Sequence, residues 1–180
     1  PSHAASAVPA RRRSFARGSG ESAGRQPTLL LILFTPHVLY PSGVPTARLT
    51  STASVRLPAG WKFDTALPVK AQNGDRIDFA PVSLTTLVDS PIVAGAFMRI
   101  IPAGDNGREH ITVTADSQSA LALNDIRTAQ MRNLVTEADA LFGARHYREY
   151  RWLVTLSDLI EPRGLEHHES TDNTAVPRGR

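Results

Sequence analysis

The sequence predicts an α+β protein that is mostly β. An antiparallel β-sandwich-like domain over residues 28–116 is followed by one long helix and further strands over residues 117–173. Three observations predict this. Short runs of alternating apolar and polar residues recur from Leu29 to Ala115, bounded by Gly, Pro or Asn, as half-buried strands are. Asn73-Gly74 is the strongest hairpin signal, because both residues tolerate the positive φ of a tight turn. Ser117–Phe142 then changes to good helix formers with apolar residues four and three apart.

Composition narrows the function classes. A chain of 180 residues that is 41% hydrophobic can bury one core, and no run approaches the ~20 apolar residues of a membrane span. The absence of Cys excludes disulfides and thiolate zinc sites. The net charge of +3 is unevenly placed. Residues 1–27 hold five Arg against Glu21, which leaves 15 basic and 16 acidic side chains in the rest. The body is therefore nearly neutral, and the basic arm lacks interleaved aromatics apart from Phe15, so no nucleic-acid partner is expected.

Residues 1–27 are Ala, Arg, Ser, Gly and Pro with almost nothing to bury, and are expected as a disordered basic tail. Their composition, like that of residues 174–180, also fits GC-rich DNA translated out of frame, and residues 174–180 are expected as a second disordered tail. Leu29–Phe34 is short for the ~7–15 apolar residues of a secretory leader and Thr35-Pro36-His37 is no small-residue cleavage site, so the run is read as a buried first strand. Arg48–Leu57 alternates, with Leu49, Ala53, Val55 and Leu57 on one face, and Trp61 and Phe63 continue it past a Pro58-Ala59-Gly60 turn. The Asn73-Gly74 hairpin lies between Leu67–Lys70 and Arg76–Phe79. Ser83–Val88 fits a short helical turn, Ala96–Ile101 a buried strand and His110–Ala115 an alternating one. The helix over Ser117–Phe142 is capped by Asp116 or Ser117 and ended by Gly143. Its Arg127, Met131, Leu134, Ala138 and Leu141 face is expected in the core.

The chemistry concentrates in Tyr150–Asn173. Tyr150, Trp152, Val154 and Leu156 share one face of a strand, which Ser157-Asp158 and Pro162 terminate. Gly164-Leu165-Glu166-His167-His168-Glu169-Ser170 follows, the densest cluster of ionisable side chains in the chain. In a strand His167 and His168 point to opposite faces and cannot share one ion, whereas Glu166 and His168 would share a face.

Arg145-His146-Tyr147, the apolar strand, Ser157-Asp158 and Gly164-Leu165-Glu166-His167 together resemble the glycyl aminopeptidase family of zinc metallopeptidases. The resemblance runs from about Leu29 to Asn173 and is sharpest from Leu141 onward. It implies a β-rich N-terminal domain, a thermolysin-like catalytic domain and usually a PDZ domain. It implies further that the G-L-E-H segment, similar to the G-x-M-E-N segment of aminopeptidase N-type enzymes, binds the substrate's amino end. Gly164, Leu165, Glu166, His167 and His168 are then the substrate-binding residues, with Glu166 pairing to the ammonium. Residues 117–173 are the helix and first strands of a truncated catalytic domain, and export is a further implication.

The sequence departs from the family at its metal. Two His one helical turn apart with an adjacent Glu, as H-E-x-x-H, would hold zinc, and no two His here are four apart. His168-Glu169-Ser170-Thr171-Asp172 offers Asp172 in place of the second His, in a polar stretch without helical period. Zinc is thus implied for the intact family and no cofactor or catalytic residue is expected in this chain, which reads as an N-terminal fragment inactive alone. A Ser170, His168, Asp172 triad lacks a nucleophile elbow and is set aside. His37, His110 and His146 read as surface or satisfied imidazoles. The alternative is a non-enzymatic β-sandwich module that binds a partner through an exposed sheet edge.

Overall fold

The computed structural model describes residues 28–34, 38–104 and 107–177, so the expectations for residues 1–27 and for His37 lie outside the described residues. Within them the chain is mostly β, as expected. The first half gives β1 (Leu29–Ile32), β2 (Thr50–Ser51), β3 (Ser54–Arg56), β4 (Lys62–Thr65), β5 (Val69–Asn73), β6 (Arg76–Phe79) and β7 (Val82–Ser83). It continues through α1 (Leu84–Val88), β8 (Ile92–Gly95), β9 (Phe97–Ala103) and β10 (Glu109–Ala115). After these come α2 (Asp125–Phe142), β11 (Tyr150–Leu156), β12 (Arg163–Glu166) and β13 (Ser170–Ala175).

All pairings among β1–β8 are antiparallel. They make three small sheets, β1-β8-β4, β3-β6-β5 and β2-β7. Leu57, Leu67, Ile77, Phe79, Leu84 and Ile92 are buried between them. The turn between β5 and β6 is Gly74-Asp75, because Asn73 pairs with Arg76, one residue later than the sequence suggested. Gly74 supplies the positive φ, at 60°. Arg48–Leu57 is two short strands after a 3-10 turn at Thr46–Arg48, and the first strand is half-buried instead of buried. β8 escaped the sequence reading. It is buried on both faces between β1 and β4, so it shows no alternation. Its Gly95 permits the close approach, since an added Cβ would sit 2.7 Å from the Thr114 methyl and 2.9 Å from the Thr28 carbonyl oxygen.

A five-stranded sheet, β12-β13-β11-β10-β9, occupies the second half. β10 and β11 run parallel over seven pairs, Glu109 with Tyr150 through Ala115 with Leu156. α2 makes the crossover between them, as a parallel pair requires. The boundary expected between residues 28–116 and 117–173 therefore passes through a single sheet. Residues 174 and 175 belong to β13, which corrects the tail expected from residue 174.

α2 starts later than expected. Ser119–Leu121 forms a 3-10 turn, Asn124 caps α2 by accepting from the Arg127 N–H at 2.8 Å, and Gly143 closes it at φ 65°. The buried stripe is Thr128 and Val135; of the expected face Met131 packs beside them, whereas Leu134 is 60% exposed and Leu141 77%. Thr128 can be buried because its hydroxyl donates to the Asn124 carbonyl. No helix among the described residues is long and apolar enough to cross a membrane.

The β1-β8-β4 sheet packs on the opposite face of the large sheet through Val93, Met98 and Leu153. Leu153 is wholly buried, so Leu153→Ala should cost about 2–5 kcal/mol in denaturant unfolding. Leu141→Ala on exposed α2 should change stability by no more than about 0.5 kcal/mol, and a core-sized loss there would contradict the packing described.

Candidate functional site

The G-L-E-H segment is a hairpin at the edge of the large sheet. After Pro162, residues 163–166 form β12, pairing Glu166 with Thr171 and Gly164 with Asn173 across β13. The His167 N–H donates to the Ser170 carbonyl at 2.8 Å and closes a turn around His168-Glu169. β12 has β13 on one side and is the outermost strand, with all four of its residues exposed.

Four sets of bonds hold this hairpin. Thr171 donates to Glu166 Oε1 at 2.9 Å, and the Tyr150 phenol donates to Oε2 at 3.2 Å. Burial first, and the Glu166 charge second, push that phenol well above its usual range. Asp89, the residue that ends α1, accepts from the His168 N–H at 2.9 Å and from His167 Nδ1 at 3.2 Å. Arg148 reaches Glu169 twice, from its N–H at 3.1 Å and its guanidinium at 2.8 Å. Burial raises the Glu169 carboxyl, but those Arg148 bonds outweigh it and hold the group below the usual carboxylate range. Arg163 pairs with buried Asp172 at 2.9 Å.

The expected site residues separate. Gly164, Leu165 and Glu166 lie exposed on β12, and a Cβ at Gly164 would sit 3.0 Å from Asn173 Oδ1. The His167 side chain is 6% exposed and turned onto Asp89. His168 is in the turn, beyond the strand, so the alternation that would set it beside Glu166 does not reach it, and the expected Glu166–His168 pair does not form. Ser170 is fully buried and His168 is exposed, so they make no triad with Asp172. Zinc is not fitted by these residues either, because Asp172 is buried against Arg163 while His168 faces solvent. Among the described residues no cluster of three or more His, Asp or Glu side chains could hold a metal ion.

Sequence reasoning missed the supporting shell. Tyr147, Tyr150 and Trp152 form a row with ring centroids 5.2 and 4.7 Å apart. Tyr147 donates to buried Glu109 at 3.3 Å, and Arg145 bridges Glu109, at 3.2 Å, to Asp139 near the end of α2. Behind them, Asp64 of β4 accepts from Thr112 at 2.5 Å and from His110 Nε2 at 2.8 Å, while Arg151 donates to His110 Nδ1 at 3.1 Å. The guanidinium can only donate, so Nδ1 is the acceptor and Nε2 carries the proton of a neutral imidazole. The shared face of Tyr150 and Trp152 was legible in the strand pattern. Nothing in sequence links Asp89 to a hairpin 78 residues later.

Residues 11–96 match the peptidase M61 N-terminal domain, which bears out the family resemblance for that portion. The fold is similar to that of an aminopeptidase N family protein from Idiomarina loihiensis, with a TM-score of 0.61 and 19% identity. That likeness covers 84% of this chain and 25% of the other, so the chain spans about a quarter of the relative's length. An M1 zinc metallopeptidase from Deinococcus radiodurans aligns at a TM-score of 0.46 and 16% identity, over 87% of this chain and 38% of that one. No curated protein matches the sequence.

The Glu169 carboxyl titrates lower folded than unfolded. Its pairing therefore stabilises the fold above the unfolded value and is lost as pH falls through the folded one. Acidification through and below the ordinary carboxylate range should cost the native chain about 1 kcal/mol more than the Glu169→Gln variant. Equal acid slopes in urea melts of the two would contradict the clamp.

Proposed function

We propose that this chain, whose residues 11–96 match the peptidase M61 N-terminal domain, is the front of a zinc-dependent aminopeptidase and carries its amino-end-binding edge. A substrate peptide would add to β12 as a further strand, with main-chain bonds giving affinity and Glu166 pairing with its ammonium. The observation that carries this is the set of partners that the carboxylates in and around the hairpin have. Glu169 and Asp172 each face an Arg, and Asp89 faces His167. Glu166 is held by two neutral hydroxyls and, among the described residues, has no cationic partner. It is oriented yet keeps further lone pairs for an incoming donor.

The metal that activates water, its ligands and the general base would come from residues other than these. The chain alone would then bind the amino end without cutting and would need no cofactor of its own. Its partner would be a peptide, with no nucleic acid. The second reading, a binding module without chemistry, has Leu165 in its favour, 49% exposed on the same edge.

Glycinamide should shift the amide resonances of Gly164–Glu166, N-acetylglycinamide should not, and Glu166→Gln should remove the response. An exposed ammonium–carboxylate pair contributes only about 0.2–1 kcal/mol, so titration must extend into the millimolar range. An equal response to both probes would favour the second reading. Purified chain should release no N-terminal residue from a peptide with or without zinc. Zinc-dependent release that Glu166→Gln abolishes would overturn the assignment of chemistry to other residues.

A further inference from the structure

We propose that Asp89 is a positioning residue for the amino-end site, fixing Glu166 through the two residues that follow it. This rests on the reading of Glu166 as the amine anchor. Asp89 lies within the portion that matches the N-terminal domain, whereas Glu166 lies in the hairpin beyond it. Its own N–H is tied to the Thr85 carbonyl at 3.1 Å, so its carboxylate projects from a fixed helix end. One oxygen takes the His168 N–H and the other takes His167 Nδ1. A carboxylate only accepts, so His167 must carry its proton on Nδ1.

Those bonds act where β12 stops. Glu166 is the last residue of the strand, beside the turn that the His167 N–H and the Ser170 carbonyl close, and the outer side of β12 is open. Arg148 grips Glu169 within the turn, and Asp89 grips the stretch between that clamp and the anchor. Freed from Asp89, His167 and His168 would carry the Glu166 carboxylate away from the Tyr150 phenol. The amino-end site is therefore assembled jointly by the two halves of the chain. The elevated phenol of Tyr150, raised by burial, then by Glu166 and least by Tyr147 and the Asp89 charge, provides a readout of where the Glu166 carboxylate sits.

The test uses the full chain with Asp89→Ala and Asp89→Asn, each with and without Glu166→Gln. Asp89→Ala should bring the Tyr150 titration down toward its ordinary range and speed His168 amide exchange about tenfold. Asp89→Asn keeps an oxygen for the His168 N–H and offers an N–H to His167 Nδ1. It should restore the slow His168 exchange and, apart from the small contribution of the lost Asp89 charge, the Tyr150 titration, while moving the imidazole proton to Nε2, visible in the ring nitrogen shifts. In the Glu166→Gln background Asp89→Ala should move Tyr150 only by the small direct effect of the lost Asp89 charge. A Tyr150 shift of the same size in that background would mean that Asp89 acts on the phenol directly, and the proposal would fail. It would fail equally if Asp89→Asn behaved like Asp89→Ala. Glycinamide separates this from the anchor reading. Binding that survives Glu166→Gln refutes the anchor, whereas binding lost in Glu166→Gln but untouched by Asp89→Ala refutes only the positioning role.

Discussion

The arrangement of the site depends on the parallel pairing of β10 with β11. Neither strand pairs with the hairpin's outer strand, yet their register sets everything outward of it. β13 pairs in parallel with β11, placing Thr171 beside Trp152, and β12 then pairs with β13, placing Glu166 opposite Thr171. Sliding β11 by one residue would turn Tyr150 to the other face and remove a hydrogen-bond partner of Glu166. Parallel register is normally fixed by what packs on the two faces, and here both faces are specific. Val113, Trp152 and Val135 of α2 share a core on one side, and Leu153 meets Val93 and Met98 on the other.

A buried polar network adds discrimination that apolar packing lacks. Asp64, Thr112, His110 and Arg151 come from three strands and two sheets, and each satisfies a group on another. Removing one member would leave a charge or donor stranded in a poorly solvated place, which costs more than the bonds contribute when complete. Such a network is a strong penalty on wrong registers and a modest stabiliser of the right one. It binds β4 to β10 and β11, so the N-terminal sheet and the hairpin's platform are held in one relation.

Local signals were read well and shared ones poorly. The bounds of β11 were legible because an apolar alternation ends at Ser157-Asp158, and the end of α2 because Gly143 takes a left-handed φ. Two stripes of α2 satisfy helical spacing, and the sequence does not separate them, because Thr128 looks polar until its hydroxyl is satisfied within the helix. β13 was missed for a related reason. Ser170, Thr171, Asp172 and Thr174 are buried in it although none is apolar, and pairing on both sides decides their fate, not propensity. The strand–helix–strand succession from residue 109 to 156 did contain the sign of a parallel crossover. Reading the helix as a domain boundary obscured it.

The contrast among neighbouring carboxylates bears most directly on function. A carboxylate held by an Arg is rigid but has already met a positive charge, and a second cation gains little from it. A carboxylate free in water keeps its charge but is mobile and well solvated, so binding must first order and desolvate it. Glu166 avoids both conditions, because a phenol and a hydroxyl orient it without neutralising it. The phenol is itself kept from ionising by burial and by that same Glu166 charge, so the donor that orients the carboxylate stays neutral. A ligand's ammonium would find a fixed negative group at the open end of an edge strand whose backbone can pair with the peptide behind it.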